Sequence, residues 1–582
     1  MTDSLVVNVL AAIRVFDVTT LVFYLLAMVG VGVYFASKNK TTEDYFFADN
    51  SMPGWAVGLS MFATSISTVT FVGFPAAAFV EDWRMLLINI GLIPGSFLAI
   101  YLLIPFFKKA GAVSTLDYVG ERLGTIPRVY CAITMIAVQL IRLGTVLFLM
   151  AIPLSYITGQ PIILIMIITG ILTMVYTVFG GIEAVIWTDV IQTFILVGGS
   201  ITVAILAVRG LPDGSGLGYV ITEGIKQGKI AFGDMDFDLS NATFYTMVIL
   251  GLSSFLAIVT DPTVVQRWMT AKSLYQARRA TWLNLVLCIV IWTFFYFVGT
   301  CLFMYYQFNP SDYVTGLVND SQVDKLVPYF IVEKAPIGIA GLITAGVAAA
   351  AMSSLSSSIN ICGTLFVGDI LRKHISPNKT EEYYFKSSLV TTFIVSLVMM
   401  VGALVFYRVP KRFMVELSMV VTMIFSGCLV GLFFVALFTK IVDSMATIAA
   451  LVLGTIINAY FAFCLVGWIP EEYSFMFHKY LIGLVVTICF VFFALQISLF
   501  SRKKYNMSMF NLAVLNAYAI TNYLGVIHKN WQMFEPSVRL IVAVNVVFGV
   551  IAFATAKLWD EQRHSIDVTN LTVWTVKNRS LN

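Results

Sequence analysis

The sequence predicts an all-α, polytopic membrane protein arranged as two related halves, and three observations carry that prediction. Of its 582 residues, 59 % are hydrophobic and only 12 % charged, against roughly 45–50 % and about 25 % in soluble domains. Run after run reaches about 20 uncharged residues, enough to cross a bilayer as helix. Two of the runs are weak in the middle and stand at matching places in the chain, the pattern of an inverted-repeat transporter.

Taken in order, apolar runs fall at about 17–36, 55–80, 86–107, 127–151, 161–179, 185–208, 243–262, 281–306, 337–370, 387–407, 413–438, 444–468, 480–500 and 538–556. A weaker run, 511–527, is interrupted by Asn516, Thr521 and Asn522, so fourteen or fifteen spans are expected. The apolar first ten residues lack a basic n-region, and no cleavable signal is expected. Basic residues gather in alternate loops: Lys38 and Lys40; Lys108, Lys109, Arg122 and Arg128; Arg267, Lys272, Arg278 and Arg279; Arg372, Lys373, Lys379 and Lys386; Lys440; Arg502, Lys503 and Lys504. The positive-inside rule makes those loops cytoplasmic and puts the N-terminus outside. Lys226, Lys229, Lys325, Lys334 and the Arg408–Arg412 turn are exceptions. Two longer outer loops, about 209–242 and 307–336, are placed to shape an entrance.

The first interrupted run, 54–80, carries Thr64, Ser65, Ser67, Thr68 and Thr70 at mid-depth, followed by Gly73 and Pro75. The second, 243–266, carries Gly251, Ser253 and Ser254, with Asp261 and Pro262 near its inner end. Non-helical backbone at membrane depth persists only where protein buries it or a wet cavity meets it. A third run, 345–370, crowds Ser353, Ser354, Ser356, Ser357 and Ser358 together. Ala350, Ser353, Ser354 and Ser357 recur at i, i+3, i+4 and i+7, one helical stripe. Such a stripe suits close helix packing or a hard cation that wants neutral oxygen ligands, and the stripe alone leaves both open.

Two charges fall inside spans: Arg142 in the fourth run and Asp189 in the sixth. Each costs at least ~2.5–3.5 kcal/mol at mid-membrane and so faces a cavity or a partner. In one reading Arg142 pairs with a carboxylate such as Asp189 or Glu183. In the other, Asp189 neutralises a cation near the stripe while Arg142 offers a bidentate fork to an anionic substrate. Glu183 and Asp261, near helix ends, read as gate or loop contacts. The four histidines (374, 478, 528 and 564) lie in loops or tail. The seven cysteines sit in or beside apolar runs at no metal-ligand spacing and read as packing residues. No nucleophile constellation appears, so an enzyme is not expected.

Four stretches carry a resemblance: KTTEDYFFADNSMPGWAVGLSMFAT, GGIEAVIWTDVIQ, DPTVVQRWMTAKSLYQARRA and AAAAMSSLSSSINICGTLFVGDI. Through them the chain resembles the sodium/solute symporter family, which includes the sodium–glucose cotransporters, over roughly residues 17–500. The resemblance implies a leucine-transporter-type 5+5 inverted-repeat bundle with one extra N-terminal helix and several C-terminal ones. It implies a sodium ion held by the carbonyls of Ala63, Ile66 and Ala350 and the hydroxyls of Ser353 and Ser354. A narrower likeness is to the bacterial sialic acid symporters, where a second sodium aligns with Asp189, Ser353, Ser356 and Ser357. Their substrate residues align with Ser65, Ser67, Thr70, Met85, Asn89 and Arg142, and Arg142 matches the arginine that binds the sialic acid carboxylate. Asn89 departs from their glutamine and from the glutamate of sugar symporters, and Met85 replaces an aromatic ring.

The expected organisation is therefore an extra helix and cytoplasmic loop at 1–54, a first repeat at 55–208, an extracellular loop at 209–242 and a second repeat at 243–438. Additional helices follow at 439–558, then a polar tail at 559–582. The expected function is sodium-coupled import of a small organic solute, foremost an acidic sugar or other carboxylate, at the plasma membrane (the inner membrane of a bacterium). Sodium is the coupling ion, with no organic cofactor and no nucleic acid partner. The alternative is a neutral-sugar or other small-solute symporter in which Arg142 braces the bundle.

Overall fold

Hydrocarbon leaves backbone groups no water to bond, so apolar runs of this kind satisfy themselves as helices. Among the described residues no β-strand forms, and one parallel bridge joins Met52 to Ala271. The computed structural model describes residues 15–501 apart from 38, 111–114, 213–214, 254, 256–259, 321, 337, 409–426, 467 and 470–480. The expected runs 511–527 and 538–556, the start of 413–438, the Arg408–Arg412 turn past Arg408 and the polar tail lie outside the described residues.

The principal helices are α1 (Val15–Ala36), α2 (Thr42–Phe47), α3 (Gly54–Ser65), α4 (Phe74–Val80), α5 (Thr125–Thr158), α6 (Ile162–Arg209) and α7 (Phe244–Ser253). They continue as α8 (Pro262–Thr270), α9 (Leu274–Phe308), α10 (Ile339–Thr364), α11 (Glu381–Arg408), α12 (Ser444–Val466) and α13 (Ile482–Ser501). Among the described residues nine helices are long and apolar enough to cross a membrane, or ten if a bent pair counts as one. Fourteen or fifteen spans are expected over the whole chain, part of which lies outside the described residues, and two of the expected runs are counted here as one. The runs 161–179 and 185–208 merge into the 48-residue α6. At 1.5 Å per residue a straight helix of that length would run about 72 Å, more than twice the hydrocarbon thickness. α6 is instead two helices meeting at Gly181, whose φ of 61° and ψ of −164° break the ladder where a side chain would be strained. In the run 243–262, α7 covers Phe244–Ser253, and the middle of the run, 254 and 256–259, lies outside the described residues.

One compact unit gathers Met1–Ser96, Gln139–Gly233 and Pro262–Ser418. At its centre is α10, which packs along α6 and α1 and also meets α3 and α11. Of the most apolar window of the α10 span, 89 % is buried, against 28 % for α11, so the serine-bearing helix is central and α11 peripheral. Small residues permit this: a Cβ on Gly341 would stand 2.5 Å from the Asp17 carbonyl oxygen, where α1 crosses. The same Asp17 supplies a cap in trans. Its Oδ1 accepts from the backbone N–H of Gly338 (2.7 Å) and Gly341 (2.8 Å), satisfying donors at the start of α10. At the other end of α10, Gln266 Nε2 of α8 donates to Asn360 Oδ1, Thr364 Oγ1 and the Phe46 carbonyl of α2.

The expected outer loops are partly helical, with Leu217–Lys226 in one and Asp312–Asn319 and Leu326–Lys334 in the other. Lys229 Nζ donates to the carbonyls of Phe79, Val80 and Glu81 at 2.8–3.0 Å, closing the end of α4. The second unit comprises Phe97–Val138, Asp234–Asp261 and Met419–Asn582. Within it α12 packs on α13, and Arg122 Nη2 donates to the Thr439 carbonyl at 2.9 Å.

Candidate functional site

The site begins where α3 stops. Helix Gly54–Ser65 ends at Ile66, whose φ of −103° and ψ of 115° are extended, and the chain re-enters helix through Val69–Gly73 before α4. The two halves, Gly54–Ser65 and Thr70–Val80, are bent by 63°. A break of this kind releases carbonyls from the helical ladder at a buried place. The serine stripe of α10 meets that break. Ser353 Oγ lies 2.8 Å from the Ala63 carbonyl and 3.2 Å from the Ala350 carbonyl, and Ser354 Oγ donates to the Thr64 carbonyl at 3.2 Å. Ala63, Ile66, Ala350, Ser353 and Ser354 are all buried. The structure thus brings Ala63, Ala350 and Ser353 into one group of neutral oxygens, with Ser354 one carbonyl away. That donor set suits a hard cation carrying one charge.

Arg142 approaches the same turn from α5, its Nη2 donating to the Thr64 carbonyl at 3.4 Å. That carbonyl also accepts from Ser354, so the arginine and the stripe share a backbone acceptor. Solvent distinguishes the two groups of residues. Ser65 is exposed at the break, and Ser67, Met85, Asn89 and Arg142 are half-buried, whereas the group around Ser353 is closed off. Thr70 is buried, and its hydroxyl accepts from the Ser67 N–H at 3.4 Å. Met85 and Asn89 lie on the 3-10 segment Arg84–Gly91, and Met85 packs against the cluster of Ala78, Trp83 and Tyr296.

Asp189 is fully buried on α6, and its charge partner is Arg267, 3.1 Å from Oδ2. The pairing of Arg142 with Asp189, one of the two readings of the sequence, is therefore corrected. Ser60 Oγ donates to the same Oδ2 at 2.5 Å, while Asp189 Oδ1 has no hydrogen-bond partner. Arg267 also donates to Ser60 Oγ (2.8 Å), Thr64 Oγ1 (2.8 Å) and Ser357 Oγ (2.5 Å). Asp189 and Ser357 thus meet through the guanidinium. Ser356 instead donates to the Ser353 carbonyl on its own helix.

The expectation that Arg267 lies in a basic cytoplasmic loop is overturned, for it is 1 % exposed on α8. The signal was present: Asp261–Pro262 was read as the end of a run, but proline is favoured at the first turn of a helix. Pro262 opens α8, which carries Gln266 and Arg267 inward. Ser60 and Thr64 are further members of the network that the sequence reading did not assign.

A family model described as the sodium:solute symporter family matches residues 45–467. The chain belongs to the sodium:solute symporter family. The sodium/sialic acid symporter SiaT of Proteus mirabilis is 32 % identical over 441 residues, covering 74 % of this chain and 86 % of that protein. The sodium/sialic acid symporter NanT of Aliivibrio fischeri is 31 % identical, covering 75 % and 88 %. A solved structure of the substrate-bound, outward-open state of a sodium-coupled sialic acid symporter, described as revealing a novel sodium site, superposes with a TM-score of 0.73. It is 28 % identical and covers 82 % of this chain and 96 % of its own. The nucleobase–cation symporter Mhp1, at 15 % identity and a TM-score of 0.50, shares the fold alone. Membership places this symporter among the leucine-transporter-type helical bundles, as the sequence resemblance implied. It makes the protein a multi-pass transporter that couples sodium to the movement of a small solute.

Proposed function

We propose that this symporter imports an acidic sugar of the sialic acid type, or a carboxylate of similar size, with sodium moving in the same direction. The observation that carries the proposal is the shared Thr64 carbonyl: Arg142 reaches it from the half-open side and Ser354 from the buried side. A cation below the break and a carboxylate above it would then sit one peptide apart, each favouring the other's binding. The sodium ligands in this reading are the carbonyls of Ala63, Ile66 and Ala350 and the hydroxyls of Ser353 and Ser354. The solute is held by Ser65, Ser67, Thr70, Met85, Asn89 and Arg142, with the Arg142 fork on the carboxylate. The half-buried Asn89, on the 3-10 segment Arg84–Gly91, offers its amide to the solute's polar groups. A second sodium belongs at Asp189, Ser356 and Ser357, where the orphaned Asp189 Oδ1 offers a charged ligand.

The protein works in the plasma membrane, the inner membrane of a bacterium, with its N-terminus outside and no chemical step of its own. Residues 55–208 and 243–438 form the two inverted repeats. Uptake of a panel of labelled acidic and neutral sugars into proteoliposomes under an imposed sodium gradient tests the proposal. Acidic sugars should enter concentratively and neutral hexoses should not. Preferential uptake of a neutral hexose would make Arg142 a brace and refute the acidic assignment.

A further inference from the structure

Arg267 is the buried charged group that this account of transport leaves unused. Its guanidinium is enclosed by oxygens from three other helices: Asp189 on α6, Ser60 and Thr64 on α3, and Ser357 on α10. Nη1 turns back to the Thr263 carbonyl of its own helix at 3.2 Å. Asp189 and Ser357 are also residues proposed to hold a second sodium. A guanidinium nitrogen 3.1 Å from the carboxylate and 2.5 Å from the serine hydroxyl therefore stands where a cation would be drawn. Two cations cannot share that carboxylate cheaply, because they repel strongly in a buried environment. The second carboxylate oxygen, Asp189 Oδ1, is buried and without a hydrogen-bond partner, so the pair leaves part of the acceptor unused. Tyr176 and Tyr24 stand near the carboxylate.

We propose that Arg267 is a tethered cation that exchanges with the second sodium ion at Asp189. In the conformation described here the guanidinium neutralises the carboxylate. When sodium arrives, the guanidinium gives up Asp189 and Ser357, and when sodium leaves it returns. The carboxylate is thus never left buried and uncompensated, which is the costly state for such a group. The exchange also links ion occupancy to geometry, since the bonds given up are those that tie α8 to α6 and α10. Sodium at Asp189 would loosen that tie, and its departure would restore it. This inference rests on the reading of Asp189, Ser356 and Ser357 as a sodium site.

The test is sodium binding by isothermal titration calorimetry on the purified full-length protein without organic solute. The variants are Arg267→Gln, Arg267→Lys, Asp189→Asn and the Arg267→Gln/Asp189→Asn pair. Exchange predicts that Arg267→Gln tightens an Asp189-dependent sodium event at least tenfold over wild type, and that adding Asp189→Asn abolishes it. Arg267→Lys keeps a tethered charge without the planar fork and should tighten the event only a few-fold. It serves as the measurement if Arg267→Gln does not fold. An Asp189-dependent sodium event of unchanged affinity in both Arg267 variants would overturn the exchange while leaving the second sodium standing. If Asp189→Asn alters sodium binding in no background, the second-sodium reading fails and the exchange falls with it.

Discussion

Replacing Arg142 by alanine isolates the claim that this symporter recognises a carboxylate. The side chain is half-buried, and one nitrogen donates to the Thr64 carbonyl at a long 3.4 Å. A charge-assisted contact to a carboxylate contributes about 1.5–3 kcal/mol. Solvent access at the break pulls the value toward the lower end. At about 1.4 kcal/mol per decade, Arg142→Ala should weaken binding of an acidic sugar by roughly 10- to 100-fold. Arg142→Lys keeps the charge but loses the planar fork, and should recover part of that loss. Calorimetry on purified protein at saturating sodium, with sialic acid and a neutral N-acetylhexosamine titrated in parallel, reads both effects. The acid should lose affinity and the neutral sugar should not. Equal losses for both, or no loss for the acid, would refute carboxylate recognition and make Arg142 a brace for the α3 break.

Ser354→Ala removes a hydroxyl from the group at the break and should raise the sodium concentration for half-maximal uptake about 3- to 10-fold, read from sodium titrations of initial rates. Ser353→Ala, whose hydroxyl touches two of the proposed carbonyl ligands, should have at least as large an effect. Asp17→Ala strips the cap from Gly338 and Gly341 and should lower thermal stability by about 1–2 kcal/mol, with solute specificity unchanged in a competition assay. If two sodium ions move with a monoanion, each cycle carries one net positive charge. An imposed potential of 100 mV then supplies about 2.3 kcal/mol, or roughly 50-fold further accumulation. Asp189→Asn should abolish that dependence, and flux-ratio measurements at clamped potentials decide the point.

Much of the fold was legible because hydrocarbon permits so few structures. An uncharged run of about 20 residues is a helix, and Gly54–Val80 showed its break through the hydroxyls at mid-depth, whereas Gly73 and Pro75 lie past the break at Ile66. The stripe Ala350, Ser353, Ser354 and Ser357 was legible from helical spacing, although spacing alone could not separate packing from ion binding. What the sequence hid was tertiary. A charge at the edge of an apolar run looks like a loop residue until folding shows where the next helix turns. Arg267 was read as cytoplasmic for that reason, yet α8 carries it inward to Asp189. The separation of 161–179 from 185–208, by contrast, was legible, and Gly181 is the joint between the two helices. Asp17 lies 321 residues before Gly338, and no local pattern announces a cap supplied from so far along the chain.

The most direct measurement is uptake of labelled sialic acid by proteoliposomes containing only this protein, with an inward sodium gradient against an equal choline gradient. The account predicts accumulation above the equilibrium level with sodium and none with choline. It also predicts that accumulation collapses when the sodium gradient is dissipated, and that unlabelled acids compete where glucose does not. Equal entry in choline, or accumulation that persists after the sodium gradient is gone, would contradict coupling through the Ser353 group.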